Sequence, residues 1–492
     1  MDPWTSAKSP AMKASFLLRI VLVCLCVGGR IAPAQATHNL GAQLTYTYTG
    51  SAANPHQYRV TARVYDDASP GNPIVTNGWL LTCGRNECGT SRPGSFTSFL
   101  TLTRTLVPGA SCQGAQVSYQ MVILEATVQL PPARWTLSID ASGRRTDVVN
   151  LPNASTQSIY LSALLDNSTG LVNSSPTFTS HDLIGLVGNQ AQRFSLSAFD
   201  SEGDSLAYAL VRPAAVLRPV SSTGCSVPST ATAPPHFQLD ASTGELRTVP
   251  VPVQQGFFLL DARVNEFRRL NGAWQQIGYI ERDMIYVAAA GSNQAPAFTR
   301  VAYSNSPTGQ LLGQVVPANT GQTVTLQVTA TDPDAGQVAQ LSSEAGGIVP
   351  GVTFQNQGNG RGLLTWQVPA LLPAGRYYLT VQATDNACPA IGVSVLTIPF
   401  AVTQQMLAAR PRQALAQAPY PVPFREEVRF QLATRGAQPV LVFDGLGRVA
   451  ARLTAGPDGS VVWRPADDVA PGLYLARNLS GSQVAHLSYA GR

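Results

Sequence analysis

The chain has 492 residues, of which 44% are hydrophobic and only 12% charged, with 42 Gly and 36 Pro. At about 100–200 residues per domain, that length predicts three or four domains rather than one core. The formal net charge is +5, but the first 36 residues hold four of the 33 cations and one of the 28 anions, so residues 37–492 carry only +2. Their arginines are scattered rather than gathered on one face, which argues against a nucleic-acid partner.

Near the start, Lys13 precedes an apolar run from Phe16 to Gly28, followed by Ala34-Gln35-Ala36. A positive n-region, a short h-region and an A-x-A site at Ala34 and Ala36 predict a secretory signal peptide over 1–36. The run is shorter than the ~20 residues a membrane-spanning helix needs, and no transmembrane segment is expected in the mature chain. Both lysines, Lys8 and Lys13, lie in this leader. A P-loop lysine, a Schiff-base lysine and a Ser-Lys dyad are therefore excluded from the rest. Export leads to an oxidising compartment, where cysteines pair. Five of the seven cysteines follow the leader, at 83, 88, 112, 225 and 388. Cys83 and Cys88 bracket a short Gly-containing loop and are the expected disulfide; the odd count leaves at least one thiol over.

Residues 37–172 form the first expected domain. Leu44, Tyr46 and Tyr48 alternate with Thr45, Thr47 and Thr49, and Tyr58, Val60, Ala62 and Val64 alternate with Arg59, Thr61 and Arg63. Period-two patterning of this kind predicts strands with one buried face. The segment from Thr37-His38-Asn39-Leu40-Gly41 through Val64-Tyr65-Asp66-Asp67, Cys88-Gly89-Thr90, Leu130-Pro131-Pro132, Trp135 and Asn173-Ser174-Ser175-Pro176 resembles a family of large exported, gliding-motility-associated surface proteins. The resemblance covers roughly 37–290 and implies a surface location. Several of the family's cysteines, including the one after Asp67, are not found here.

An internal repeat comes next. Asn173-Ser174-Ser175-Pro176-Thr177-Phe178 and Asn293-Gln294-Ala295-Pro296-Ala297-Phe298 both read N-x-x-P-x-F. Ala198-Phe199-Asp200 follows the first and Ala330-Thr331-Asp332 the second, and each unit later has a glycine opening an aromatic strand, at Gly256 and Gly375. Units of this length with short strands suit Ig-like or cadherin-like β-sandwiches at 173–292 and 293–403. Val324, Leu326, Val328 and Ala330 mark an inward face in the second. The proline suits a linker entering an edge strand. The Pro/Ala/Gln-rich stretch 404–416 reads as a linker. The expected fold class is all-β: tandem β-sandwiches with a small C-terminal one.

The tail, 417–492, carries Tyr420-Pro421-Val422-Pro423-Phe424, then Asp444-Gly445-Leu446-Gly447-Arg448, then Pro471-Gly472-Leu473-Tyr474. In that order these motifs resemble the type A C-terminal sorting domain of type IX secretion cargo; Val422 stands where the family usually has Asn. The resemblance implies that Tyr420, Pro421, Pro423, Phe424, Asp444, Gly445, Gly447, Arg448, Gly472 and Tyr474 shape an address read by the type IX secretion machinery, and that the protein ends outside a Gram-negative cell.

Chemistry is less plainly marked. Acidic residues gather at turns: Asp200, Glu202 and Asp204 with the later Glu266 in the first repeat, and Asp332, Asp334 and Asp385 in the second. Ca²⁺ takes six to eight oxygen ligands, which such turns can supply; equally, Asp favours turns because it bonds its own backbone. These seven residues are the candidate Ca²⁺ ligands. There is no G-x-S-x-G elbow and no H-E-x-x-H, and the five histidines are isolated. No enzyme is expected. The reading is an exported modular surface protein acting in adhesion or surface contact, toward a glycan or protein ligand. The alternatives are a secreted carbohydrate-active enzyme or its carbohydrate-binding accessory chain, and a structural surface-layer component.

Overall fold

Leu44 and Tyr46, with Tyr58, Val60, Ala62 and Val64, are the buried faces of the first two strands in the computed structural model. It describes residues 39–491 apart from 70–74, 76–77, 86–92, 108–117, 142–143, 146, 155–156, 217–225, 250–251, 253, 307–308, 389, 405–413, 445–447 and 479–482. The chain is all-β, and its described residues fall into two compact units, up to Thr403 and from Gln404.

In the first unit the long strands are β1 (Asn39–Tyr48), β2 (Gln57–Asp67), β3 (Trp79–Arg85), β4 (Phe96–Leu106), β5 (Tyr119–Gln129), β6 (Arg134–Ala141), β7 (Ile159–Asp166), β8 (Ser205–Val211), β9 (Gly256–Leu270) and β10 (Ala273–Ala289). β9 and β10 form a hairpin closed by Asn271-Gly272, both with φ > 0, the residue pair a two-residue hairpin turn requires. β10 pairs with β1 through Asp283↔Ala42 and with β7 through Tyr279↔Leu164. Because β1-β2-β5-β4-β3-β6-β7 are also hydrogen-bonded in that order, the sheet closes on β10.

The boundary expected at 172/173 is therefore not a domain boundary. Strands from both sides share this sheet, and Phe178, Phe194, Phe258 and Tyr286 share one core with Leu44, Leu81 and Leu124. The physical reason lies in β7, buried along seven of its eight residues. A strand sealed on both faces needs cover that 37–172 does not supply alone, and the 17-residue β10 supplies it.

The strands from Ala297 to Thr403 form a two-sheet sandwich. The strands are β11 (Ala297–Tyr303), β12 (Val316–Asn319), β13 (Thr323–Thr331), β14 (Gln340–Ser342), β15 (Val352–Gly358), β16 (Arg361–Gln367), β17 (Gly375–Thr384) and β18 (Val393–Thr403). They make two four-stranded sheets, β11-β13-β16-β15 and β12-β18-β17-β14, around Leu326, Trp366, Leu379 and Phe400. Val324, Leu326, Val328 and Ala330 all point into that core. The internal repeat is visible in register: Phe178 pairs with Ala198 and Thr177 with Phe199, as Phe298 pairs with Ala330 and Ala297 with Thr331.

The second unit is a small two-sheet body. Its strands are β19 (Gln417–Tyr420), β20 (Val428–Gln431), β21 (Pro439–Phe443), β22 (Val449–Thr454), β23 (Ser460–Trp463), β24 (Gly472–Asn478) and β25 (Val484–Tyr489). The sheets are β19-β20-β23 and β22-β21-β24-β25. Phe424, Phe430, Val442, Trp463, Tyr474 and Leu487 fill a core of their own.

Among the described residues no helix is long and apolar enough to cross a membrane. The leader with Ala34 and Ala36, and most of the 404–416 linker, lie outside the described residues. The expected Cys83–Cys88 disulfide is not found. Cys83 is a free thiol on β3, pointing into the core with no exposed surface, and burial pushes it up to about 12. The thiol faces inward from mid-strand; Cys88 itself lies outside the described residues. Cys388 is disulfide-bonded.

Candidate functional site

Asp200 follows the short strand Ala198–Phe199, and the chain turns through Gly203 (φ 78°) before entering β8 just after Asp204. The Asp204 N–H donates to Asp200 Oδ1 at 2.8 Å, closing the turn. Glu266 lies on β9 opposite Gly278 of β10, immediately before a register shift in the hairpin. These elements bring Asp200, Asp204 and Glu266 together, with one carboxylate oxygen of each within 4.8 Å of the others. All three are sealed, at 3%, 9% and 0% exposed.

Partners are unequally shared. Asp204 forms a two-pronged ion pair with Arg268, whose Nε donates to Oδ1 at 2.6 Å and whose second nitrogen donates to Oδ2. Arg268 also donates to Asn173 Oδ1 at 2.7 Å, and Asn173 Nδ2 donates to Glu266 Oε1 at 2.9 Å. Tyr46 caps the site and donates to the Leu164 carbonyl at 2.8 Å. Among the described residues, Asp200 Oδ2 and Glu266 Oε2 have no hydrogen-bond partner. A Cβ on Gly278 would fall 2.3 Å from Glu266 Oε2 and 2.7 Å from Tyr46 Oη, so glycine leaves the space the Glu266 carboxylate occupies.

Two carboxylates thus remain after Arg268 neutralises the third. Burial, and then the neighbouring acids, push Asp200 up to about 7. Burial and the charge of Asp200 push Glu266 well above the usual carboxylate range. Like charges this close in a desolvated site favour a held proton.

By distance the three acids could surround a cation, but the donor set does not fit Ca²⁺. Two carboxylate oxygens lack a partner, Asp204 is saturated by a guanidinium, and Ca²⁺ takes six to eight oxygens. Glu202 is outside the cluster, accepting from the Ser174 N–H at 3.3 Å. In the second repeat the acids do not converge, among the described residues, on one point. Asp385 accepts from Asn293 Nδ2 at 2.8 Å and from the Gly392 N–H at 3.0 Å. Asp334 accepts from the Gln294 N–H at 2.7 Å, and Asp332 from the Asp334 N–H at 2.8 Å. They brace turns, as the turn chemistry of Asp allows.

Sequence reasoning missed the roles of Asn173, Arg268, Tyr46 and Gly278. For Asn173 a signal existed: in both repeats the motif asparagine bonds an acid ten residues after the strand-opening glycine, Gly256 to Glu266 and Gly375 to Asp385. It also missed the buried pair of Arg144 with Asp283, at 2.7 and 2.8 Å.

In the second unit, Phe424 is buried against Trp463 and Tyr489, and its N–H donates to the Ser488 carbonyl. Asp444 and Arg448 form an ion pair at 2.7 Å, and Tyr474 donates to the Ala470 carbonyl just ahead of Gly472. Tyr420, Pro421 and Pro423 are exposed. Gly445 and Gly447 lie outside the described residues.

No protein-family model and no curated protein matches the chain. Among solved structures, the N-terminal four Ig domains of Dscam1 isoform 6.44 align at 10% identity over 92% of this chain and 99% of that one, with a TM-score of 0.19. Sidekick-1 immunoglobulin domains 1–4 align at 9% identity over 91% and 99%, TM-score 0.17. The E-to-A variant of titin I67–I69 aligns at 9% identity over 64% and 98%, TM-score 0.18. The all-β class rests on the strands of this chain.

Proposed function

We propose that the chain is an exported, non-enzymatic surface protein whose body up to Thr403 makes contacts at the cell exterior and whose C-terminal unit is its export address. The observation that carries this reading is the independence of that unit: residues from Gln404 onward are compact by themselves, with a core built from Phe424, Trp463 and Tyr474. A compact unit of this kind can be read as an address separately from its cargo. The residues that resemble the type IX sorting family divide accordingly, Phe424 and Tyr474 into the core and Tyr420, Pro421 and Pro423 onto the surface.

The burial of the acid cluster supports the non-enzymatic part. A glycosidase needs two carboxyls flanking a bond in an open cleft; Asp200 and Glu266 are closed in by β8, β9 and β10 and by Tyr46. His181 and His236 are buried as well, His236 against the Tyr286 hydroxyl at 2.8 Å, where neither reaches a substrate. Deletion of the gene is expected to reduce attachment and surface spreading of the cells; unchanged attachment and spreading would remove the contact role.

A further inference from the structure

The outer face of β1, β2, β4 and β5 is lined by side chains that the core does not use. Across it, Thr47 pairs with Arg59 and Arg59 with Thr127; one step along, Thr61 pairs with Glu125 and Glu125 with Thr101. A register shift in β4 between Leu102 and Arg104 distorts the strand at one border. The result is a groove of about 600 Å³ over this face, with Arg59, Phe99, Thr101 and Thr127 all exposed.

Its chemistry is specific in kind. Phe99, 54% exposed, is the one large apolar side chain among the described residues lining it. Its ring lies over Gly78, where a Cβ would come within 2.5 Å of it, so glycine lets the ring lie close to the backbone there. Around it stand Gln57, Arg59, Glu125 and threonine hydroxyls. Among the described residues Arg59 has no side-chain partner, and the Glu125 carboxylate accepts one bond, from Thr61 Oγ1 at 3.2 Å. The groove therefore offers an aromatic face, unspent donors, unspent acceptors and two opposite charges that cancel.

We propose that this groove binds a neutral polysaccharide chain, stacked on Phe99 and hydrogen-bonded through Arg59, Glu125 and Gln57. A sugar has an apolar C–H face to lay on an aromatic ring, and hydroxyls that each donate and accept. Both kinds of group are needed to satisfy a guanidinium and a carboxylate across one groove. An acidic polymer would meet Glu125 with a like charge. A protein partner would want an interface centre rich in apolar side chains and depleted of charge, the reverse of this lining. The proposal rests on the reading of the body as a surface-contact protein and names the ligand class of that contact.

The test is electrophoresis of the purified chain through native gels containing laminarin, xylan or galactomannan, with alginate as the acidic comparison. At least one neutral polymer should retard the chain. Phe99→Ala should weaken that retardation about tenfold, the worth of one aromatic contact, and Arg59→Ala should weaken it too, with both melting midpoints unchanged because the two side chains are exposed. Retardation by none of the three neutral polymers, retardation by alginate alone, or a Phe99→Ala chain retarded like the parent would overturn it. Because the gel uses purified protein, this failure is separable from loss of the contact role, which is read on cells.

Discussion

Asn173 reaches across 93 residues of sequence to donate to Glu266 at 2.9 Å. Its counterpart in the repeat, Asn293, donates to Asp385 at 2.8 Å across 92 residues. The asparagine of N-x-x-P-x-F is thus a clasp: it ties the entry of each repeat to an acid on, or just past, a later strand, while the Pro and Phe behind it lead the chain into the core. Removing Asn173 leaves the buried Glu266 Oε1 without its donor.

Asn173→Ala should therefore lower the stability of the first unit by about 1–3 kcal/mol, the cost of an unsatisfied buried polar group. Asn293→Ala should cost less, about 1 kcal/mol, because Asn293 is half-buried and Asp385 keeps its bonds from Gly392. Denaturant titration of both variants checks this; an Asn173→Ala chain as stable as its parent would contradict it.

The raised Asp200 carboxyl makes stability depend on pH with a definite sign. Its folded value, about 7, lies above that of an unfolded Asp, about 4, so between these values the folded chain holds a proton that the unfolded chain has lost. Stability should therefore be full below about pH 4 as far as this group is concerned, fall as pH rises toward 7, and level off above. A carboxyl moved that far costs roughly 4 kcal/mol to ionise in the folded state, and Glu266 acts in the same direction. Asp200→Asn keeps an acceptor for the Asp204 N–H and cannot ionise. Thermal melts from pH 5 to 8 should show a smaller decline for Asp200→Asn than for the parent; parallel curves would contradict the raised Asp200 carboxyl.

Calcium should have little effect on the fold. Arg268 already supplies the positive charge at Asp204, and the second set of acids braces turns. Melting midpoints with excess Ca²⁺ and with chelator should coincide within about 1 °C, since a ligand at a hundred times its Kd would add about 2.7 kcal/mol. A calcium-dependent rise would contradict this.

Cys83 should resist alkylation in the folded chain. The thiolate is the reactive form, and burial in an apolar core both hides the sulfur and pushes its proton affinity up to about 12. Mass spectrometry should find Cys83 modified by iodoacetamide only after denaturation; rapid labelling of the native chain would contradict its placement on β3.

Strand positions and inward faces were legible because a period of two reports directly which side of a strand is buried. Tyr58, Val60, Ala62 and Val64 show this, and so do Val324 to Ala330. The repeat was legible in its motifs, but its shared register, Phe178 against Ala198 and Phe298 against Ala330, was not, because a motif does not name its pairing partner. The joining of 37–172 to 173–292 was not, because alternation does not say which distant strand covers a face; the pairing of Asp283 with Ala42 joins β10 to β1. The acid cluster was half legible. Three of the four first-repeat acids came together, but Arg268, which neutralises Asp204, carries no local pattern linking it to that acid.

The central claim, that the self-contained C-terminal unit addresses the rest for export, is tested most directly by fractionating cells that use type IX secretion and carry the chain with or without residues 417–492. The full chain should be found at the cell surface or in the medium, and the shortened chain should stay in the periplasm. Equal delivery of the shortened chain to the exterior would contradict the account.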